Sequence, residues 1–224
     1  MNTYKSHINI VWFKRDLRLQ DNEAIFNAIY SKTPTLLLYV FENSLQNDGH
    51  YSDRHWDFIK QSIKDINQQL VPLNTKVLSV SGEVISIINS IQEIYKIATV
   101  FSHQETGIKT TYERDKSFKR FCKNNFINWK ENINNGIFRA LENRKNWVKL
   151  WEDYMNSKQF VFDGNSQNFM SLESIQILEN SFETVSLETI PNDVFQKGGT
   201  SMGNKYMESF FYHRYQDYNR NISK

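Results

Sequence analysis

The chain of 224 residues has one cysteine, three prolines and eight glycines. A single thiol, Cys122, excludes an internal disulfide framework and a zinc site built on cysteines. So little glycine and proline excludes collagen-like and Gly/Pro-rich low-complexity chains. The longest clean apolar run, Leu36 to Phe41, is far short of the ~20 residues that a membrane span needs. The opening MNTYKSHINI has no apolar stretch of the signal-peptide kind, so a soluble, cytosolic protein is expected. Charge of one sign is also missing: 27 Lys+Arg face 25 Asp+Glu, and a net +2 does not argue for nucleic acid by itself. What is present is enough apolar matter for a core, 39% of residues with 14% aromatic, which excludes a wholly disordered chain.

Two periods alternate over the first 130 or so residues. Ile8–Phe13, Thr35–Phe41, Lys76–Val80 and Ile97–Phe101 are short apolar runs of the kind that parallel strands show when both faces are covered. Between them lie helical spacings: Ile25, Ala28 and Ile29 after a capping Asp21 or Asn22; Trp56, Ile59, Ile63, Ile66 and Leu70 after Ser52; Val84, Ile87, Ile88, Ile91 and Ile94. A helix with Phe118, Phe121 and Cys122 and a short strand near Phe126–Trp129 complete the series. Strand–helix alternation with short links predicts an α/β fold, a doubly wound five-stranded parallel sheet of Rossmann-like type, followed by a helical and irregular connector. Ligands of such sheets bind beyond the carboxyl ends of the strands, which singles out the loops after Phe13, Phe41, Val80 and Phe101.

The pattern changes after Asn135. Trp147, Leu150, Trp151 and Tyr154 predict one helix. Residues 163–196 hold six acids (Asp163, Glu173, Glu179, Glu183, Glu188, Asp193) and no base, which reads as a solvated connector. Gly198-Gly199 is a break, and Met207, Phe210, Phe211 and Arg214 mark a last helix whose apolar stripe wants a partner. The expected division is 1–134, 135–196 and 197–224.

The loop Lys14-Arg15-Asp16-Leu17-Arg18-Leu19-Gln20-Asp21-Asn22 has no glycine, so neither a dinucleotide-binding turn nor a P-loop fits. Its cations and carboxylates form either a self-neutralising cluster that pins the loop or a pocket for an anionic or planar ligand. At the exit of the fourth strand, Ser102-His103-Gln104-Glu105-Thr106-Gly107 places His103 and Glu105 two apart, either as structural partners or as an acid/base pair. The other histidines have no metal-ligand spacing. Residues 105–149 carry eleven bases (Lys109, Arg114, Lys116, Lys119, Arg120, Lys123, Lys130, Arg139, Arg144, Lys145, Lys149) against five acids, which solvated helix faces and a phosphate-tracking surface explain equally well.

The string Val11-Trp12-Phe13-Lys14-Arg15-Asp16-Leu17-Arg18-Leu19-Gln20-Asp21-Asn22 closely resembles the opening of the DNA photolyase/cryptochrome family. Ser102–Gly107, Tyr112–Asp115, Asn135–Arg139 with Arg144, Trp147 and Trp151, and the ending through Tyr218 and Asn219–Lys224 resemble a bacterial branch of it. The resemblance implies an N-terminal α/β domain, a connector, and only the first helix of the helical domain that holds FAD. The family's S-R-L-S-type FAD stretch would begin a little after Lys224. The full-length protein would be a blue-light-driven lyase that splits cyclobutane pyrimidine dimers in DNA, or a cryptochrome-type photoreceptor. This chain would supply the antenna and docking part and be inactive alone, or be a non-catalytic remnant. Its implied partners are the helical FAD domain, in cis or from a split gene, and damaged DNA through that domain; no membrane is implied. In the family the loop after the first strand borders a pocket for an antenna chromophore, a folate, deazaflavin or flavin. The resemblance therefore assigns Lys14, Arg15, Asp16 and Arg18 to cofactor binding or domain docking, adds Gln104 and Glu105 from the nearby loop, and places Tyr218 near a contact to the FAD phosphate. Thr110-Thr111 stands where folate-binding members carry an Asn-Glu pair.

Overall fold

A computed structural model describes residues 5–162, 168–190 and 194–218. Five strands, β1 (His7–Phe13), β2 (Thr35–Phe41), β3 (Val77–Ser81), β4 (Lys96–His103) and β5 (Asn128–Asn132), form one parallel sheet in the order β3-β2-β1-β4-β5. Central β1 is buried at every position after His7, because both faces are covered. Ile8, Ile10 and Trp12 point into one core; Val11 and Phe13, one residue out of phase, point into the other.

Helices α1 (Glu23–Tyr30) and α3 (Asp53–Leu70) supply Ile25, Ala28, Ile63, Ile66 and Leu70 to the Val11/Phe13 side. The short α2 (Asn43–Gln46) lies between them in sequence. Helices α4 (Val84–Ile94) and α5 (Lys109–Asn124) supply Ile87, Ile88, Ile91 and Phe118 to the other side. Asn22 caps α1: its Oδ1 accepts the Ile25 N–H at 3.0 Å. Asp21, beside it, is at φ +52°.

The order reverses at the centre. The chain builds outward from β1 to β2 and β3, then returns to place β4 on the other edge of β1. The carboxyl ends of β1 and β4 flank this switch point, where open α/β sheets form their ligand crevice.

Two expectations are corrected. The fifth strand lies at Asn128–Asn132, not at Phe126–Trp129. Phe126 is in a left-handed turn (φ +55°) with its ring 95% exposed, and Ile127 takes the buried place. The described part of the stretch 163–196 is not a merely solvated connector. Thr35 N–H donates to the Asn168 carbonyl at 2.7 Å and Met170 N–H to the Thr35 carbonyl at 3.0 Å, so the returning chain meets the start of β2. A second helix in this region, α7 (Leu172–Glu179), after α6 (Trp147–Met155), buries Ile175 and Leu178 in the α4/α5-side core. Val185 N–H then donates to the Ser79 carbonyl at the edge of β3. The chain continues through α8 (Thr200–Ser209), a π-helical turn (Phe210–Arg214) and a 3-10 turn (Tyr215–Asp217). The expected ending Asn219–Lys224 lies outside the described residues. No helix among them is long and apolar enough to cross a membrane.

Candidate functional site

A cleft of about 850 Å³ opens at the carboxyl ends of β1 and β2. Its floor is Trp12, Phe13, Tyr39 and Val40; α3 supplies Arg54, His55, Trp56, Phe58, Ile59 and Ser62 as one wall. The segment Val194–Gln196, with Gly199 and Thr200, covers the far side. Aromatic surface dominates: Tyr51 stacks on Trp56 (centroids 5.0 Å, 27°), and Phe41 packs behind Trp56 at 6.2 Å. Size and lining are those of a small-molecule site, apolar with a few convergent polar groups.

Those polar groups form one connected ion network. Lys14 Nζ donates to Asp115 Oδ2 at 2.8 Å, with both side chains almost wholly buried. Arg114, next to Asp115 on α5, donates through Nη1 to Glu42 Oε2 at 2.6 Å; its Nη2 is 2.9 Å from Asp115 Oδ1 and 3.5 Å from Glu105 Oε2. Lys14 Nζ and the Arg114 guanidinium both lie over the Trp12 ring, at 4.4 and 4.8 Å. Burial pushes the Lys14 ammonium down from its ordinary value, against the opposing pull of Asp115. Burial also raises the Glu42 carboxyl, against Arg114. It raises the Tyr39 phenol as well, with the Glu42 charge adding to the effect.

Asp16 lies behind this network. Its carboxylate bonds His103 Nδ1, accepts from Asn22 Nδ2 at 3.3 Å, and presents Oδ1 to the Lys14 N–H at 3.2 Å. Burial favours protonation, but the His103 bond and charge and the Lys14 N–H outweigh it and hold the carboxyl below its usual value. Asp16 is 2% exposed and does not line the cleft.

Arg15 is different. Its Nε reaches Glu105 Oε1 at 2.9 Å and its Nη2 donates to Tyr51 Oη at 3.1 Å, yet the side chain is 52% exposed at the cleft mouth. Gly107 makes room for it: a Cβ there would stand 2.3 Å from Arg15 Nη2. Arg18 lines the same mouth and donates to the Asp21 carbonyl at 3.0 Å. Two fixed guanidinia at an aromatic cleft favour a planar ligand that carries an anionic group.

The residues singled out from sequence therefore separate. Lys14, Arg15, Arg18 and Glu105 line the cleft. Asp16 supports it from behind. Gln104 extends the ladder, its N–H donating to the Asn132 carbonyl at 2.8 Å, and does not line the cleft. Tyr218 does not line it either; its ring packs on Phe210 at 5.6 Å. His103 and Glu105 do not pair with each other, since one serves Asp16 and the other serves Arg15 and Arg114. Thr110 donates to Asp48 Oδ2 at 2.8 Å and Thr111 to the Ile108 carbonyl at 2.8 Å, so both hydroxyls serve the local chain. The residues that sequence reasoning missed are Glu42, Tyr39, Tyr51, Arg54 and Arg114. A polar residue at the end of an apolar run marked Glu42; Arg114 stood within the Tyr112–Asp115 stretch that resembles the family, but without a site role. Within the basic stretch 105–149, Arg114 is buried in the network and Arg139 pairs with Glu131 at 2.8 Å. Among the described residues, no group of His, Cys, Asp and Glu is placed to hold a metal ion.

Residues 9–147 match the family model of DNA photolyase. A cryptochrome DASH of chloroplasts and mitochondria from Solanum lycopersicum is 32% identical over 105 residues, 44% of this chain and 18% of the relative. A cryptochrome DASH from Idiomarina loihiensis is 22% identical over 212 residues, 89% of this chain and 46% of the relative. Among solved structures, a Synechocystis cryptochrome superposes with a TM-score of 0.72 at 19% identity, covering 97% of this chain and 49% of that one. An archaeal photolyase from Sulfolobus tokodaii, solved with two FAD molecules and discussed for a novel light-harvesting cofactor, gives 0.65 at 18% identity, over 88% and 45%. The chain spans less than half the length of each of these relatives. The matched region runs from β1 into the first residue of α6, well over half of the chain, and the five-stranded sheet is shared with photolyase and cryptochrome structures alike: the chain belongs to the DNA photolyase family.

Proposed function

We propose that this chain is the antenna and docking portion of a photolyase- or cryptochrome-type flavoprotein, and that its cleft holds a planar chromophore of the flavin or deazaflavin type. The observation that carries this reading is the cleft itself, about 850 Å³ in volume and lined by several aromatic rings at the ligand edge of the sheet, with Arg15 held by Glu105 and Tyr51 at its mouth. The ring system would lie among Tyr39, Trp56 and Phe195, with the anionic end at Arg15 and Arg18. A flavin suits this lining better than a folate, because Thr110 and Thr111 turn their hydroxyls into local bonds. The salt-bridged Lys14 and buried Asp16 do not bind; they hold the loop that carries Arg15.

The finer reading of the whole protein follows the same lines. The catalytic FAD would belong to a helical partner portion, with Tyr218 near its phosphate. The reaction would be light-driven cleavage of pyrimidine dimers in DNA, with photoreception by a cryptochrome as the alternative; the chain alone would be inactive.

Titration of the chain with flavin mononucleotide, a 5-deazaflavin and methenyltetrahydrofolate, followed by fluorescence anisotropy, tests the first part. Binding of a flavin-type ligand, weakened roughly tenfold by Arg15→Gln, is the expected result. A folded chain that binds none of the three sinks the reading. Reconstitution with the helical portion and an assay of dimer repair under blue light decides between lyase and photoreceptor.

A further inference from the structure

The segment Val194–Thr200 belongs to two places at once. Val194, Phe195, Gln196, Gly199 and Thr200 line the cleft, and Gly199 is also the N-cap of α8. The segment lies flat along α3. Gly198 N–H donates to Gln61 Oε1 at 2.7 Å, Gly199 N–H to Ser62 Oγ at 3.0 Å, and Ser201 N–H to Asp65 Oδ2 at 3.2 Å. Only glycine allows this approach: a Cβ on residue 198 would stand 2.2 Å from the Phe58 carbonyl oxygen. On residue 199 (φ +103°) it would stand 2.7 Å from Asp65 Cβ. At the other end of the segment the Arg54 guanidinium covers the Phe195 ring at 4.9 Å.

Helix α8 has no buried residue of its own. With only Met202 and Tyr206 half-buried as apolar contacts, its position depends largely on the strap and on a few exposed hydrogen bonds, the composition of a segment that opens locally. The same α3 residues face both ways: Phe58 and Ser62 line the cleft, and each stands against the strap's glycines. A ligand in the cleft therefore touches the strap and the α3 surface on which the strap lies.

We propose that Val194–Thr200 is a latch through which occupancy of the cleft and docking of α8 on α3 control one another. This rests on the reading of the cleft as a ligand site. A ligand bridging α3 and the strap favours the docked state, and whatever holds α8 in place raises affinity in the cleft by the same factor, because linkage is reciprocal. Beyond α8 the chain presents Phe211, Tyr212, Tyr215 and Tyr218, each at least half exposed. Their placement is thereby tied to what the cleft contains.

Backbone amide exchange on the full chain tests the latch in two arms. Without ligand, Phe195→Ala is expected to speed exchange across α8 at least ~5-fold while α4, on the opposite face of the sheet, moves less than ~2-fold. With saturating flavin mononucleotide, the same amides of the unmodified chain slow by a comparable factor. Gly199→Ala lifts the strap without deleting a cleft side chain and is expected to weaken flavin mononucleotide at least ~5-fold. Exchange in α8 that ignores Phe195→Ala overturns the latch, as does unchanged affinity in a Gly199→Ala chain whose α8 is loosened. Failure of flavin mononucleotide to bind, with α8 still loosened by Phe195→Ala, overturns the ligand reading and the coupling that rests on it, and leaves only the docking of α8 through the strap.

Discussion

Asp115→Ala is the sharpest test of the ion network beneath the cleft. The substitution removes the carboxylate 2.8 Å from Lys14 Nζ and leaves the ammonium in a site where its side chain is 3% exposed. It also removes the group 2.9 Å from Arg114 Nη2, so that two cations are left over the Trp12 ring with Glu42 and Glu105 to balance Arg114. Breaking a buried pair on one side costs about 3–5 kcal/mol, because the remaining charge keeps its desolvation penalty without its partner. For a domain of this size each kcal/mol moves the midpoint about 2–4 °C, so a fall of roughly 6–20 °C is expected. The double variant Lys14→Met/Asp115→Leu removes both charges and should recover most of the loss, since well-packed apolar replacements of a buried pair are often neutral. Urea unfolding followed by circular dichroism, on Lys14→Met, Asp115→Leu and their double, completes the cycle, with Asp115→Ala measured beside it. A cost below ~1 kcal/mol for Asp115→Ala, or a double variant no more stable than Asp115→Ala, refutes the argument, because it means that water already reaches Lys14.

Two further outcomes follow from the buried groups. The Asp16 carboxyl is held below its ordinary 3.8, so its contribution to stability is complete above that value and is lost as pH falls through the lower folded value. Asp16→Asn should lower stability at neutral pH and flatten the acid limb of a stability-against-pH curve below about pH 4; an unchanged limb contradicts the assignment. Burial drives the Cys122 thiol up to about 12, so iodoacetamide at pH 8 should label the chain only on unfolding, and rapid labelling of the folded chain by mass spectrometry would contradict a core position.

The parallel sheet was legible because its four principal strands are short, nearly unbroken apolar runs, and burial on both faces leaves that trace. Strand β5 has no such trace. NWKEN is an edge strand with only Asn132 fully buried, so the more apolar Phe126 drew the boundary toward itself. Helix α7 was hidden for a related reason. Eight residues that bury only Ile175 and Leu178 give too little periodicity to stand out from the acids around them. At the site, the loop after β1 announced charge compensation but not its partners. Asp115 comes from α5 and His103 from the end of β4, both far along the chain, and no local spacing encodes a contact that only the sheet brings together. Gly198-Gly199 read as a break because glycine has two uses; here it serves close backbone approach rather than chain termination.

The strand order has a bearing on how the polypeptide reaches this shape. Val11 pairs with Leu37 on one side and with Phe101 on the other, so the first strand made is fully bonded only when the fourth emerges. Until then a flat, apolar edge stays unprotected, and closing it carries the entropy of a long loop. A nascent chain halted between β3 and β4 should therefore be the form most in need of a chaperone, and slow, aggregation-prone refolding is the expected kinetic cost of placing the crevice at the middle of the sheet.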